Sequence, residues 1–126
     1  MADWRNPTFI LERKTLDDLI DSLVFDERDR FLREVEKMRQ LRFAGLLIEG
    51  HRDQVAGAEY HSRATPESML ASVDALTVRT GLHIFWCGDH EGAARQVEGL
   101  VAQFAKGIEK DWRRIGVGDD CPANPY

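Results

Sequence analysis

A three-layer α/β domain with a mixed central sheet is the fold class this sequence predicts, and three observations predict it. Short apolar runs at residues 9–11, 43–48 and 82–87 have the length and composition of strands. Amphipathic stretches of helical period lie between and after them, most with a recognisable start or stop signal. Near the N-terminus, Asn6-Pro7-Thr8 is a turn tripeptide that folds residues 3–12 into two short paired strands. The resulting order is strand–strand–helix–helix–strand–helix–strand–helix.

The first helix follows from Thr15, a good N-cap, with Asp18 at the third helical position as in a capping box. Leu16, Leu19, Ile20, Leu23 and Val24 supply its i, i+3, i+4, i+7, i+8 stripe. A second helix opens near Asp26 and runs to about Arg42, burying Phe31, Leu32, Val35, Met38 and Leu41. Its many alternating charges read as a solvated face. Residues 43–48 are apolar throughout, as a central strand covered on both faces requires. Glu49-Gly50 ends that strand.

From His51 to Ala64 the chain is less regular, with a break at Ala56-Gly57-Ala58. Thr65-Pro66-Glu67 is a strong helix start, and Gly81 a C-terminal stop. Met69, Leu70, Val73, Leu76 and Thr77 are assigned to the buried face of that helix. His83 enters the next strand, and Cys87 reads as a small core residue rather than a nucleophile. The last helix spans about Glu91 to Lys110, with Ala94, Val97, Leu100, Val101, Phe104 and Ile108 on one stripe. Residues 111–126 read as a loose tail.

At 126 residues the chain makes one domain with one hydrophobic core. No run approaches the length of a membrane span, and the first residues have no signal-peptide pattern. Two cysteines make no disulfide framework, which places the chain in a reducing cytoplasm. The net charge of −5 offers no global positive field for nucleic acid, which counts against a dedicated non-specific DNA binder. Three of the histidines, His51, His61 and His90, lack ligand spacing for zinc.

The chemistry concentrates where the first apolar run ends in Glu12-Arg13-Lys14. Residues two apart on an extended chain point to the same face, so Glu12 and Lys14 share one. A carboxylate supplies the hard oxygen that suits Mg²⁺ or Mn²⁺. A neighbouring ammonium can offset charge that builds on a phosphodiester in the transition state. With Pro7 and Thr8 central in the turn, Asp3 lies opposite Glu12, roughly 5 Å away at Cβ, close enough to share a metal. Asp3 reads equally as a terminal residue outside any strand. Glu49, at a strand's carboxyl end, is a functional candidate; its other reading is a solvent-facing carboxylate or a partner of Arg52.

Glu12-Arg13-Lys14-x-x-x-Asp18-Leu19 resembles the nuclease domain of the XPF-type structure-specific endonucleases, especially small bacterial and phage relatives. The resemblance continues through Arg28-Asp29-Arg30-Phe31, Leu46-Leu47-Ile48-Glu49-Gly50, Tyr60-His61-Ser62-Arg63 with Pro66-Glu67-Ser68, and Gly88-Asp89. It covers roughly residues 9–110, and residues 1–110 are assigned to the nuclease domain. It implies a restriction-endonuclease-like core with a mixed sheet, N-terminally truncated. The family's opening Asp-x-Arg-Glu strand, the helix and second strand after it, and the tandem helix-hairpin-helix domain have no counterpart. Its Gly-Asp pair is matched at best by Ala2-Asp3.

The implied activity is metal-dependent hydrolysis of branched or flapped DNA by a homodimer. Asp3 and Glu12 would hold Mg²⁺ or Mn²⁺, Lys14 would act on the attacking water or the phosphate, and Asp18 belongs to the family's active-site set. Here Asp18 is read chiefly as a cap that orients Lys14. Arg13, Arg28, Arg30, Arg63 and Tyr60 would hold the DNA. The alternatives are a non-catalytic DNA-binding or dimerising relative with an incomplete acid cluster, a shortened copy of an active enzyme, and a small flavodoxin-like domain. The last lacks a phosphate-cradling glycine loop.

Overall fold

A computed structural model describes residues 9–114. They form an α/β unit in the order β1 (Phe9–Thr15), α1 (Leu16–Ser22), α2 (Phe25–Met38), β2 (Phe43–Glu49), α3 (Arg52–Ala56), α4 (Pro66–Thr80), β3 (His83–Trp86) and α5 (His90–Arg114). The three strands make one parallel sheet in the order β1-β2-β3. The expected mixed sheet is therefore not what the described residues form. Each pair of consecutive strands is separated by helices, and a helical crossover returns the chain parallel to the strand before it. The antiparallel partner of β1, and with it Asp3, falls at residues that lie outside the described ones.

Strand alternation sorts the side chains onto two faces. In register with one another, Ile10, Glu12 and Lys14 of β1 lie beside Ala44, Leu46 and Ile48 of β2. That face packs on Leu19 and Ile20 of α1, Phe31 and Val35 of α2, and Met69 and Leu76 of α4 to form the main core. The opposite face carries Phe9, Leu11 and Arg13 beside Phe43, Gly45 and Leu47, and here α5 lies, with Phe104 packed on Phe9 at 4.4 Å between ring centroids. Gly45 suits this face because a Cβ there would stand 2.9 Å from Leu11 Cδ2 and 3.1 Å from the Phe85 ring. β2, central and covered on both sides, is buried from Ala44 to Ile48.

The local signals act as expected at several ends. Thr15 Oγ1 accepts from the Asp18 amide at 3.2 Å, and Thr65 Oγ1 accepts from the Ser68 amide at 3.2 Å. Gly81 closes α4 in the left-handed region at φ 76°. Elsewhere tertiary contacts moved the boundaries. α2 ends at Met38 rather than near Arg42. A short helix, α3, occupies part of the irregular stretch before the break at Gly57. α5 continues past Lys110 to Arg114, so residues 111–114 are helical; Asp111 is tied to Arg42, which lies just before β2. On α4 the buried stripe is Met69, Ser72, Val73 and Leu76, and Thr77 is exposed.

Candidate functional site

Among the described residues β1 is an edge strand, and the polar residues at its carboxyl end reach solvent while their neighbours pack. Glu12 and Lys14 share a face as the period of two requires, and Lys14 Nζ lies 3.5 Å from Glu12 Oε2. The two side chains differ in exposure: Glu12 is 43% exposed and Lys14 only 18%. The reason is α2. Lys14 Nζ sits over the ring of Phe31, 5.3 Å from its centroid, and Phe31 is itself buried in the core. Asp18 is exposed, and no ion pair joins it to Lys14 among the described residues. The expectation that Asp18 orients Lys14 is thus corrected, because Glu12 and Phe31 hold the ammonium instead. At Asp18 it is the backbone amide, not the carboxylate, that takes part in the cap.

Arg13, between those two residues, points to the other face. Its Nη1 donates to Glu49 Oε2 at 2.8 Å, and His90 Nδ1 lies 3.1 Å from the same oxygen. The Glu49 side chain is largely covered, at 14% exposed, whereas Arg13 is 52% exposed. The hydrogen bond from Arg13 lowers the Glu49 pKa below its ordinary value; desolvation opposes this, and His90 adds to it. Neither earlier reading of Glu49 anticipated this arrangement. Arg52 turns away to form a two-pronged pair with Asp74, at 2.9 and 3.1 Å. Adjacent residues of one strand thus place two cations on opposite sides of the sheet edge.

The loop before α4 comes to the same place. The His61 amide donates to Asp17 Oδ1 at 3.3 Å, which ties this loop to the first turn of α1. Tyr60 donates its hydroxyl to the Ala64 carbonyl at 2.6 Å, and its ring packs against the core. It shapes the loop more than it offers a free stacking face. Arg63 is exposed and has no hydrogen bond or ion pair among the described residues.

The two α2 arginines differ. Arg28 donates to Ser72 Oγ at 3.1 Å and to the Leu23 carbonyl at 3.5 Å, so it is committed to the seam between α2 and α4. Ser72 is a buried hydroxyl that needs a partner, and Arg28 supplies it. Arg30 is exposed and paired with Glu27.

Cys87 follows β3 and is half-buried, with its amide donating to the Ile48 carbonyl. Desolvation, with a smaller contribution from the charge on Glu49, raises its thiol pKa and disfavours the nucleophilic thiolate. His51 lies against Gly88, whose φ of 82° and missing Cβ leave room for the imidazole.

Among the described residues no group of three or more His, Cys, Asp or Glu side chains could hold a metal ion. Glu12 offers one hard oxygen donor of the type Mg²⁺ or Mn²⁺ takes. Its expected companion Asp3 lies outside the described residues. No helix among them is long and apolar enough to cross a membrane.

A carboxylate and an ammonium thus stand side by side at a strand end in an α/β unit. A family model described as the ERCC4 domain matches residues 1–100, which include Glu12, Lys14, Asp18 and Arg63. The chain belongs to the ERCC4 domain family, a structure-specific nuclease family whose domains bind DNA, in agreement with the XPF-type resemblance of its motifs. No curated protein and no solved structure matches the chain.

Phe31, Ser72 and His90 are the contributors that sequence reasoning missed as partners of site residues. Phe31 had a signal, since it closes the Arg28-Asp29-Arg30-Phe31 string. Ser72 showed only as a small polar residue on a helical stripe, and His90 had no signal.

Proposed function

We propose that this chain is a metal-dependent endonuclease of branched or flapped DNA. The observation that carries the proposal is the Glu12–Lys14 pair at the sheet edge, inside a chain of the ERCC4 family. Glu12, together with Asp3, would hold Mg²⁺ or Mn²⁺. When bound, such an ion polarises a phosphoryl oxygen and lowers the pKa of a bound water. Lys14 places a fixed positive charge beside Glu12, where negative charge develops on the phosphate. Arg63, exposed and uncommitted, and Arg13, exposed on the other side of the edge, contact backbone phosphates. Arg30 can join them by giving up its surface pair with Glu27, which contributes little. Homodimerisation through α5 belongs to the same proposal: Val101 on its apolar stripe is 47% exposed, and Leu100 is half-buried.

A second reading, a non-catalytic DNA-binding or dimerising module, draws on the lack of a three-ligand acid cluster among the described residues. The experiment is cleavage of labelled flap, fork and duplex DNA with Mn²⁺ by the parent chain, Glu12→Ala and Lys14→Ala. Cutting that disappears in both variants supports the endonuclease. DNA binding by the folded parent without any cutting supports the module.

A further inference from the structure

Lysine carries a long stem and loses much rotamer freedom when fixed, so an ammonium at a strand tip needs something to hold it. Around Lys14, among the described residues, stand the Glu12 carboxylate at 3.5 Å and the Phe31 ring face at 5.3 Å. The second lies within the roughly 6 Å range over which a ring quadrupole attracts a cation. Both members of this contact are well covered: Lys14 is 18% exposed and Phe31 5%. A leucine in place of Phe31 could fill much of the same core volume. Only an aromatic ring adds a negative face turned to the ammonium.

We infer that Phe31 is a positioning residue of the site: its ring face holds the Lys14 ammonium beside Glu12, ready for a phosphate. The inference deepens the reading of Lys14 as the residue that stabilises the reacting phosphate, and rests on it. The choice of an aromatic partner has a chemical consequence. A second carboxylate, such as that of Asp18, would take up an N–H donor and neutralise the charge. A ring attracts the cation while accepting no conventional hydrogen bond. The donors of Lys14 stay available for Glu12 and for a phosphoryl oxygen, and the ring adds no second negative charge beside the ammonium. Phe31 thereby contributes to the site without touching DNA, and the packing of α2 in the core fixes where its ring stands.

The test has a structural arm and a kinetic arm. The chain has four lysines, Lys14, Lys37, Lys106 and Lys110, so their ε-methylene groups can be resolved by NMR and Lys14 assigned by its loss in Lys14→Arg. The expected result is a Lys14 ε-methylene signal displaced upfield by the ring current, and its return toward the other three in Phe31→Leu. In cleavage of flap DNA, Phe31→Leu is expected to lower kcat roughly tenfold at unchanged KM. Phe31→Tyr, which keeps the ring, is expected to keep both the upfield signal and the rate.

A Lys14 signal that coincides with the other lysines in the parent overturns the inference, whether or not Phe31→Leu folds. So does a folded Phe31→Leu that cuts at the parent rate. If the parent cuts no DNA, the endonuclease reading fails separately. The upfield signal then supports the clamp, and its absence overturns it.

Discussion

Arg13 and Glu49 join the ends of neighbouring parallel strands through a hydrogen bond of 2.8 Å. They stand on the face of the sheet opposite Glu12 and Lys14, so the strand edge has a paired cation on each side. A charged pair whose carboxylate is largely covered makes the strand ends sensitive to pH.

Because the Glu49 pKa is lowered in the folded chain, chiefly by Arg13, the folded state holds its proton less tightly than the unfolded state does. Stability from this group is fully present above the unfolded carboxylate value of about 4.3. It is lost as pH falls through the lower folded value. Thermal melts of the parent and of Glu49→Gln are therefore expected to differ at neutral pH and to converge as pH falls through the lowered folded value. A difference that stays constant down to the acid limit would contradict the pairing.

Arg28 and Arg63 are expected to behave oppositely. Arg28→Ala leaves the buried Ser72 hydroxyl without its donor and should destabilise the fold by about 1 kcal/mol, while DNA affinity stays unchanged. Arg63→Ala should leave the melting temperature unchanged, weaken DNA binding and reduce the salt dependence by about one phosphate contact. Binding titrations over a range of salt concentrations, run beside thermal melts, separate the two.

At Gly92, in the first turn of α5, a Cβ would stand 1.9 Å from the Cys87 carbonyl oxygen. That obstacle is backbone, and no rotamer change can clear it. Gly92→Ala should shift the helix start, break the Asp89 carboxylate contact to the Gly92 amide and cost about 3 kcal/mol, at the upper end for overpacking. Urea unfolding measures it, and a loss below ~0.5 kcal/mol, as at an ordinary surface site, would count against this geometry.

Lys14→Ala is expected to lower cleavage about 10²–10³-fold, the range for removing one electrostatic stabiliser of a transition state. Stability should change little through its ion pair, since Glu12 remains substantially open to solvent. Single-turnover cleavage with circular dichroism melts checks both. A proportionate loss of fold and rate would assign Lys14 to structure alone.

By itself the sequence determined most of the described elements (though not α3), several of their ends and one face of the site. Apolar runs and helical stripes are local patterns, and caps such as Thr15, Thr65 and Gly81 act within three or four residues of themselves. Glu12 and Lys14 could be placed together because two residues apart on a strand share a face whatever surrounds it.

Only the tertiary structure decided which charges meet. Arg28 and Ser72 are 44 residues apart, Arg13 and Glu49 are 36, and Glu49 and His90 are 41. On a helix or strand end rich in charges, nothing local distinguishes an arginine bound for a buried hydroxyl from one left free for phosphate. The same holds for Phe31: its helical stripe marks it as core, but the ammonium above its ring comes from another element. Local periodicity assigns a side chain to a face, and the packing of distant elements assigns its partner.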